Sequence, residues 1–367
     1  MCAVLTVALN RKTWVCIDSD HGHYFMVTDI TRSRKVVLEL EKLKKYFPVE
    51  RGFFRKVVGH VKAVDDVSLT IHEGEALGLV GESGSGKTTL GRCVVRAIDV
   101  TEGAIHFNHE HTKVDLATTD SETLMSVRPS ISMIFQDPFS SLDPRWTVLD
   151  IVGEPLRRMT SLSSAEIEEK VRNLMSVVGL EAEHLKRYPH AFSGGQRQRI
   201  GVARALATDP IMIVADEAVS ALDVSIQAQI LNLIKDLQAE RNLALLFISH
   251  DLSVVEHVSD RVAVMYLGKV VEIAETNDLF LNPKHPYTAS LLAAVPSIKR
   301  KRGDRKRTVV RGEIPDPANP PTGCHFHPRC QYAQDICMQS EPQLRQFSGN
   351  HVVSCHLADE IELKLVS

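Results

Sequence analysis

The chain has 367 residues, 44% hydrophobic and 24% charged, which is enough for two or three domains with sizeable cores. A formal net charge of −3 gives no overall attraction to nucleic acid or anionic lipid, and seven cysteines without a secretory context argue against a disulfide framework. No apolar run approaches the roughly 18 residues that a membrane helix needs. Near the N-terminus, Arg11 and Lys12 follow the apolar residues, the reverse of a secretory signal, so the expected compartment is the cytosol.

Residues 1–35 show no clear period and are polar from Asp18 to His23. They are expected to be an extension without function: either a natural tail or sequence upstream of a start at Met26. Alternation begins at Val36-Val37-Leu38-Glu39-Leu40 and recurs in Val67-Ser68-Leu69-Thr70-Ile71, which predicts antiparallel strands. Between them, Tyr46 and Phe47 place aromatics upstream of the next motif; Phe47 is read either as a core residue or as a ring that stacks on a base.

The apolar run Ala76–Val80 leads into Gly81-Glu82-Ser83-Gly84-Ser85-Gly86-Lys87-Thr88, followed by a helix-compatible run to Ala97. Strand, glycine-rich loop and helix are the context that a G-x-x-x-x-G-K-[ST] phosphate loop requires. Its backbone N–H groups and the helix N-terminus suit phosphate oxygens. Lys87 would reach the β- and γ-phosphates, and the Thr88 hydroxyl would hold Mg²⁺.

A short apolar run, Ile131 to Phe135, ends at Gln136-Asp137-Pro138. Residues 139–192 then change character. Ile167, Val171, Leu174, Met175 and Val178 fall on one helix face, with Ser164 as the expected N-cap and Gly179 as the stop, so a helical insert interrupts the strand-rich core. Phe192-Ser193-Gly194-Gly195-Gln196 opens another helix through Leu206. A Ser-Gly-Gly turn at a helix start is an anion-binding device, and a second one makes sense if it serves a partner's nucleotide.

Ile211–Ala215 and Leu243–Ile248 read as strands buried on both faces, ending in Asp216-Glu217 and in Ser249-His250. Val224–Glu240 is a helix between them, and Val262–Ala274 is a hairpin. Strands alternating with helices predict a parallel sheet whose strand ends converge on one crevice. Asp216 is placed for Mg²⁺ and Glu217 for the general base. Gln136 can contact both metal and water, and His250 can bond the γ-phosphate.

The basic run Lys299–Arg307 and the prolines from Pro315 to Pro321 read as an exposed linker; without interleaved aromatics it is not a nucleic-acid site. Beyond it, Cys324, Cys330, Cys337 and Cys355 lack the tight pairs usual for zinc. Iron–sulfur cluster, zinc and free thiols all stay open on spacing.

Taken together, Gly81–Thr88, Gln136, Phe192–Gln196, Ile211–Glu217, Ser220-Ala221-Leu222-Asp223 and His250 resemble, in order and spacing, an ABC-type ATPase: its Walker A, Q-loop, signature, Walker B, D-loop and H-loop. The match covers residues 36–290, and implies an α/β phosphate-loop NTPase core with an antiparallel β subdomain and a helical insert over about 139–192. It implies ATP and Mg²⁺ as ligands, with Gly81, Glu82, Ser83, Gly84, Ser85, Gly86, Lys87, Thr88, Thr89 and an adenine-stacking Phe47 around the nucleotide. It also implies that two nucleotide domains pair head to tail, with Ser193, Gly194, Gly195 and Gln196 acting in trans and Asp223 in the D-loop.

Phe135–Arg145, Val219–Gln229, His285-Pro286-Tyr287-Thr288 and Gly312–Pro315 through Pro320–Cys324 are similar to the oligopeptide/dipeptide importer branch. That narrower resemblance implies a cytoplasmic-face, membrane-associated ATPase working with a different second ATPase chain, two permeases and an extracytoplasmic solute-binding protein. The Gly-Gly-Gln-Arg-Gln-Arg stretch and Thr89-Leu90-Gly91-Arg92 look like the second member of the ATPase pair. It also implies a C-terminal extension, residues 291–367, whose four cysteines hold a [4Fe–4S] cluster in some members. Ala218 stands where this branch has proline, which bears on the stiffness of the Glu217 loop and removes no chemical group. The rival expectations are a soluble ABC ATPase of DNA repair or translation, and a phosphate-loop kinase. The insert is short for the first, and a kinase has no use for Ser193–Gln196.

Overall fold

This computed structural model describes residues 5–10, 13–17, 24–28, 34–52, 56–109, 112–294 and 312–363, the first three stretches as backbone. The basic run at 299–307 lies outside the described residues. The chain divides into two compact units, Met1–Lys35 and Val36–Ser367. In the first, β1 (Leu5–Asn10), β2 (Thr13–Ile17) and β3 (Tyr24–Thr28) pair in that order as an antiparallel sheet. Strands form here although the sequence shows no clear period. β-Branched and aromatic residues such as Val7, Trp14, Val15, Ile17 and Phe25 favour strands even where alternation is blurred.

The second unit opens with a long antiparallel hairpin, β4 (Val36–Arg51) and β5 (Lys56–His72), and runs through β6 (Ala76–Val80) and α1 (Lys87–Val94). Next come β7 (Glu102–His109), β8 (Thr112–Asp115), α2 (Ser121–Val127) and β9 (Ile131–Ile134). Helices α3 (Val148–Met159) and α4 (Ser164–Val177) form the insert, and α5 (Gly194–Leu206) leads to β10 (Met212–Asp216). Beyond β10 lie α6 (Val224–Glu240), β11 (Ala244–Ile248), α7 (Leu252–Val258) and the hairpin β12 (Arg261–Tyr266) with β13 (Lys269–Glu275). After α8 (Thr276–Leu281) and α9 (Pro286–Ala294), the C-terminal region adds α10 (Asp335–Gln339), β14 (Arg345–Ser348) and β15 (His351–Val353).

Two sheets result. One is antiparallel, in the order β5-β4-β7-β8; the other has eight strands in the order β14-β15-β13-β12-β6-β11-β10-β9. From β12 to β9 the neighbours are parallel. The two-residue period of a strand explains how this sheet is covered on both faces. Ile213 and Ala215 of β10, with Leu245 and Phe247 of β11, pack into the core shared with α3, α4 and α5. Met212, Val214, Leu246 and Ile248 face the other core, shared with α1 and the antiparallel sheet.

The insert shows local signals at work. α4 starts with a capping box in which Glu166 accepts from the Ser163 N–H at 2.7 Å, so Ser163 is the N-cap, one residue before the Ser164 expected from the pattern. α3 was not expected. It buries Val148, Ile151, Val152 and Leu156 at helical spacing, and Pro155 inside it obscures the pattern.

The C-terminal region extends the main sheet. β15 pairs with β13, Val353 opposite Glu272 and Val352 opposite Ile273. The buried Glu272 carboxylate accepts from the Lys284 and His285 N–H groups at 2.6 and 3.0 Å, and His351 Nε2 lies 2.7 Å from it. What reads in sequence as an appendage beyond a linker therefore supplies two strands to the core sheet.

Candidate active site

The parallel strands end at one level: Asp216 lies opposite Ile248, Ala215 opposite Ile134, and Ile248 opposite Leu79. The loops leaving these strand ends therefore meet at one edge of the sheet. After β6 the chain turns into the phosphate loop. Gly86, the N-cap of α1, has φ +107°, and a Cβ there would sit 1.9 Å from the Ala63 carbonyl oxygen, so only glycine fits. Lys87 is buried. Its Nζ donates to the carbonyls of Gly81 (2.8 Å) and Glu82 (2.9 Å) and lies 3.4 Å from Ser85 Oγ. Burial pulls the Lys87 ammonium below the ordinary lysine range, and Glu217, Asp216 and Glu82 oppose that shift.

The Thr88 hydroxyl donates to Asp216 Oδ1 at 2.9 Å. Burial raises the Asp216 carboxyl above its usual range and Glu217 adds to the rise, while the Thr88 bond, Arg92 and Lys87 lower it. A buried acid facing a threonine hydroxyl beside a lysine is a donor set that suits a hard divalent cation such as Mg²⁺ bridging phosphate oxygens. Glu217 comes next, with φ +44°, an uncommon conformation for a residue with a side chain. Its N–H bonds the Ile248 carbonyl at 2.9 Å and its own carbonyl accepts from the Ser220 hydroxyl at 3.0 Å. The carboxylate is thereby aimed between two side chains: Gln136 Nε2 donates to Oε2 at 2.7 Å, and His250 Nδ1 lies 3.2 Å from Oε1. Buried Ala218 leaves this loop anchored without a proline.

Other predicted residues stand apart from this knot. Ser193 caps α5 in a second capping box, receiving the Gln196 N–H at 3.3 Å while Gln196 Oε1 accepts from the Ser193 N–H at 3.0 Å. Gly194 is half-buried. Gly195 is packed so closely that a Cβ would meet Ile226 Cγ2 at 2.4 Å. Asp223 is exposed at the start of α6. Ser83 and Gly84 are exposed on the loop tip and Thr89 is half-buried on α1. Phe47, on β4, is 39% exposed with Lys45 Nζ 5.0 Å from its ring centre, which removes the core reading. The Tyr46 hydroxyl is engaged by Asp65 at 2.5 Å.

The cysteines come from four places: Cys324 in a turn, Cys330 after a 3₁₀ turn, Cys337 on α10 and Cys355 after β15. The Cys324 N–H donates to the Cys337 carbonyl at 2.8 Å. Burial pushes the Cys324 thiol up to about 11, with Cys337 and Cys330 adding to the rise, and the Cys355 thiol up to about 12, with Cys324, Cys330 and Cys337 adding to it. Among the described residues, however, no group of three or more His, Cys, Asp or Glu is placed to hold a metal ion. The expected ligand set is corrected to that extent: the four share a neighbourhood but do not form a single-ion site. Two residues near the loop had no role in the sequence reading. Tyr287, inside the quoted His-Pro-Tyr-Thr stretch, and Arg329, between two of the cysteines, both bond to Glu82.

A phosphate loop, a buried acid facing its threonine, and a glutamate held by glutamine and histidine on a parallel sheet define an ABC-type ATPase cassette. The ABC transporter family model matches residues 64–220, and the model for the oligopeptide/dipeptide transporter C-terminal region matches 271–337. The structure is similar to a dimeric post-hydrolysis state of the ATP-binding cassette MJ0796 bound to ADP and Pi (TM-score 0.57, 27% identity, 65% of this chain and 98% of that one). It is also similar to cbiO1 from Clostridium perfringens, part of the cbiONQ ABC transporter complex (TM-score 0.56, 25% identity, 67% and 91%). The oligopeptide transport ATP-binding protein AppF of Bacillus subtilis (strain 168) is 52% identical across 89% of this chain and 98% of its own length. The dipeptide transport protein DppF of Haemophilus influenzae is 46% identical (91% and 100%), and the oligopeptide transport protein OppF of Salmonella typhimurium 45% (90% and 99%). The chain belongs to the family of oligopeptide/dipeptide ABC transport ATP-binding proteins.

Proposed function

We propose that this chain is the ATP-hydrolysing subunit that powers import of peptides or related small solutes through a membrane ABC transporter. The observation that carries the catalytic part is the single hydrogen-bonded line from Gln136 through Glu217 to His250, beside the Thr88–Asp216 pair. Gly81–Thr89 cradles the triphosphate, with Lys87 on its terminal phosphates and Phe47 stacked on the adenine. Thr88, Asp216 and Gln136 would hold Mg²⁺, which when bound offsets charge on the phosphate oxygens. Glu217 orients a water for attack on the γ-phosphorus and takes its proton as the bond to ADP breaks. His250 steadies Glu217 and contacts the γ-phosphate.

The turn Ser193–Gln196 serves a partner's nucleotide. Support comes from its exposed N-cap serine and from the dimeric state of a similar cassette. ATP then closes a pair and hydrolysis reopens it, which is a ligand-driven population shift. The finer reading is a heterodimer in which this chain is the second ATPase. That pair sits on two permease subunits at the cytoplasmic face and is supplied by an extracytoplasmic binding protein. Among the described residues no helix is long and apolar enough to cross a membrane, which fits a peripheral subunit. Nothing favours the DNA-repair or translation alternative: the insert is two helices, and residues 271–337 match a transporter region.

The test is reconstitution of the chain with its permeases and second ATPase in proteoliposomes. Peptide-loaded binding protein should stimulate ATP hydrolysis and drive peptide uptake, and hydrolysis without any uptake would sink the import reading. For the cysteines, the finer reading is a [4Fe–4S] cluster; its support is the resemblance to importer ATPases that carry one and the proximity of Cys324 and Cys337, whose N–H and carbonyl bond at 2.8 Å. Anaerobic purification should then yield about four iron and four sulfide per chain. Zinc without iron, or no metal at all, overturns it.

A further inference from the structure

The C-terminal region reaches the phosphate loop itself. Arg329 closes the 3₁₀ turn His327–Arg329, one residue before Cys330. Its guanidinium grips the Glu82 carboxylate with both arms: Nη1 donates to Oε2 at 2.7 Å and Nη2 to Oε1 at 2.9 Å. The Arg329 side chain is 6% exposed, and that of Glu82 25%. Arg329 is itself fixed by aromatics. Its guanidinium carbon lies 5.8 Å from the Tyr266 ring centre and 5.9 Å from that of Phe326. Tyr266, Tyr287 and Phe326 are buried and in mutual contact, with centres 4.6 to 5.4 Å apart.

Glu82 is the second residue of Gly81–Thr88. Its N–H donates to the Tyr287 hydroxyl at 2.8 Å, and its carbonyl accepts from Lys87 Nζ at 2.9 Å. One loop residue is thus held at side chain, N–H and carbonyl by three different parts of the chain. Its charge is of the wrong sign for its place. A carboxylate in a loop that receives a triphosphate repels the ligand, and Glu82 is among the acids whose field acts on the Lys87 ammonium. A paired, bidentate arginine cancels that charge and fixes the loop's shape.

We propose that Arg329 is a positioning residue for nucleotide binding: by masking and anchoring Glu82 it sets the phosphate loop to accept ATP, so that the cysteine-bearing C-terminal region tunes the cassette's affinity for nucleotide. This rests on reading Gly81–Thr88 as the phosphate loop.

The test is equilibrium titration of the full-length chain with ATP. Arg329→Met keeps an apolar stem against Tyr266 and Phe326 and removes the charge; ATP should bind about tenfold more weakly, roughly 1.4 kcal/mol. Adding Glu82→Gln to that variant removes the unmasked charge and should recover most of the loss, whereas a purely structural arginine would show no such rescue. Unchanged affinity in Arg329→Met, or a double variant as weak as the single one, overturns the proposal. Should Arg329→Met fail to fold, Arg329→Lys replaces it: its single ammonium cannot reproduce the fork, so wild-type binding there overturns the proposal and weakened binding rescued by Glu82→Gln supports it. Lys87→Ala separates the two readings. If that variant binds ATP normally, the phosphate-loop assignment fails. If it loses binding while Arg329→Met does not, only the role of Arg329 fails.

Discussion

Glu217→Gln should leave ATP binding close to wild type while slowing hydrolysis by at least about 10²-fold, the scale of a lost general base. The substitution is nearly isosteric, and the surroundings can accept an amide. Its oxygen can still take the Gln136 Nε2 hydrogen bond now made at 2.7 Å, and its nitrogen can face His250 Nδ1, 3.2 Å from the present carboxylate. The left-handed backbone at Glu217 is held by the Ile248 carbonyl and by Ser220, so the side chain should keep its aim. What is lost is the acceptor for the proton of the attacking water. On the proposed cycle, in which the pair opens after hydrolysis, the ATP-bound closed pair should accumulate, visible as a nucleotide-dependent dimer in size-exclusion chromatography. Hydrolysis at the wild-type rate would overturn the assignment of Glu217 as base.

Most of this site can be read in the sequence because buried parallel strands are written as unbroken apolar runs. Residues 212–215 and Ala244–Ile248 are buried at every position, and the first polar residues after these runs, Asp216 and Ser249, must lie at the sheet edge. The phosphate loop carries its own signature between β6 and α1. Elements whose signal is diluted were harder to see. α3 holds Pro155 in its interior, and the strands β14 and β15 are only four and three residues long, too short for a period. The grip of Arg329 on Glu82 is out of reach for a different reason: the two residues are 247 positions apart, and nothing local to either announces the other. Phe47 lies between these cases. Its aromatic character marks it as core or stacker, and only its exposure removes the first option.

Lys87→Ala should abolish measurable ATP binding, and the structure says how to keep that result from being mistaken for unfolding. The Lys87 ammonium is buried and already fully engaged, with the Gly81 and Glu82 carbonyls and Ser85 within 3.4 Å. Removing it leaves the Gly81 carbonyl without its donor, a structural cost of about 1–3 kcal/mol where water does not reach, while the Glu82 carbonyl keeps the Ser85 N–H at 3.2 Å. It also removes the charge that would face the terminal phosphates. Charged hydrogen bonds contribute about 1.5–3 kcal/mol each, so losing two places the affinity roughly 10²- to 10⁴-fold lower. Lys87→Met separates the two effects, because it keeps the apolar stem and the packing while deleting the ammonium. A Met variant that melts near the wild-type temperature yet fails to bind ATP assigns the loss to phosphate recognition. A Met variant that binds ATP normally would show that the triphosphate is held elsewhere, and the reading of Gly81–Thr88 would fall with it.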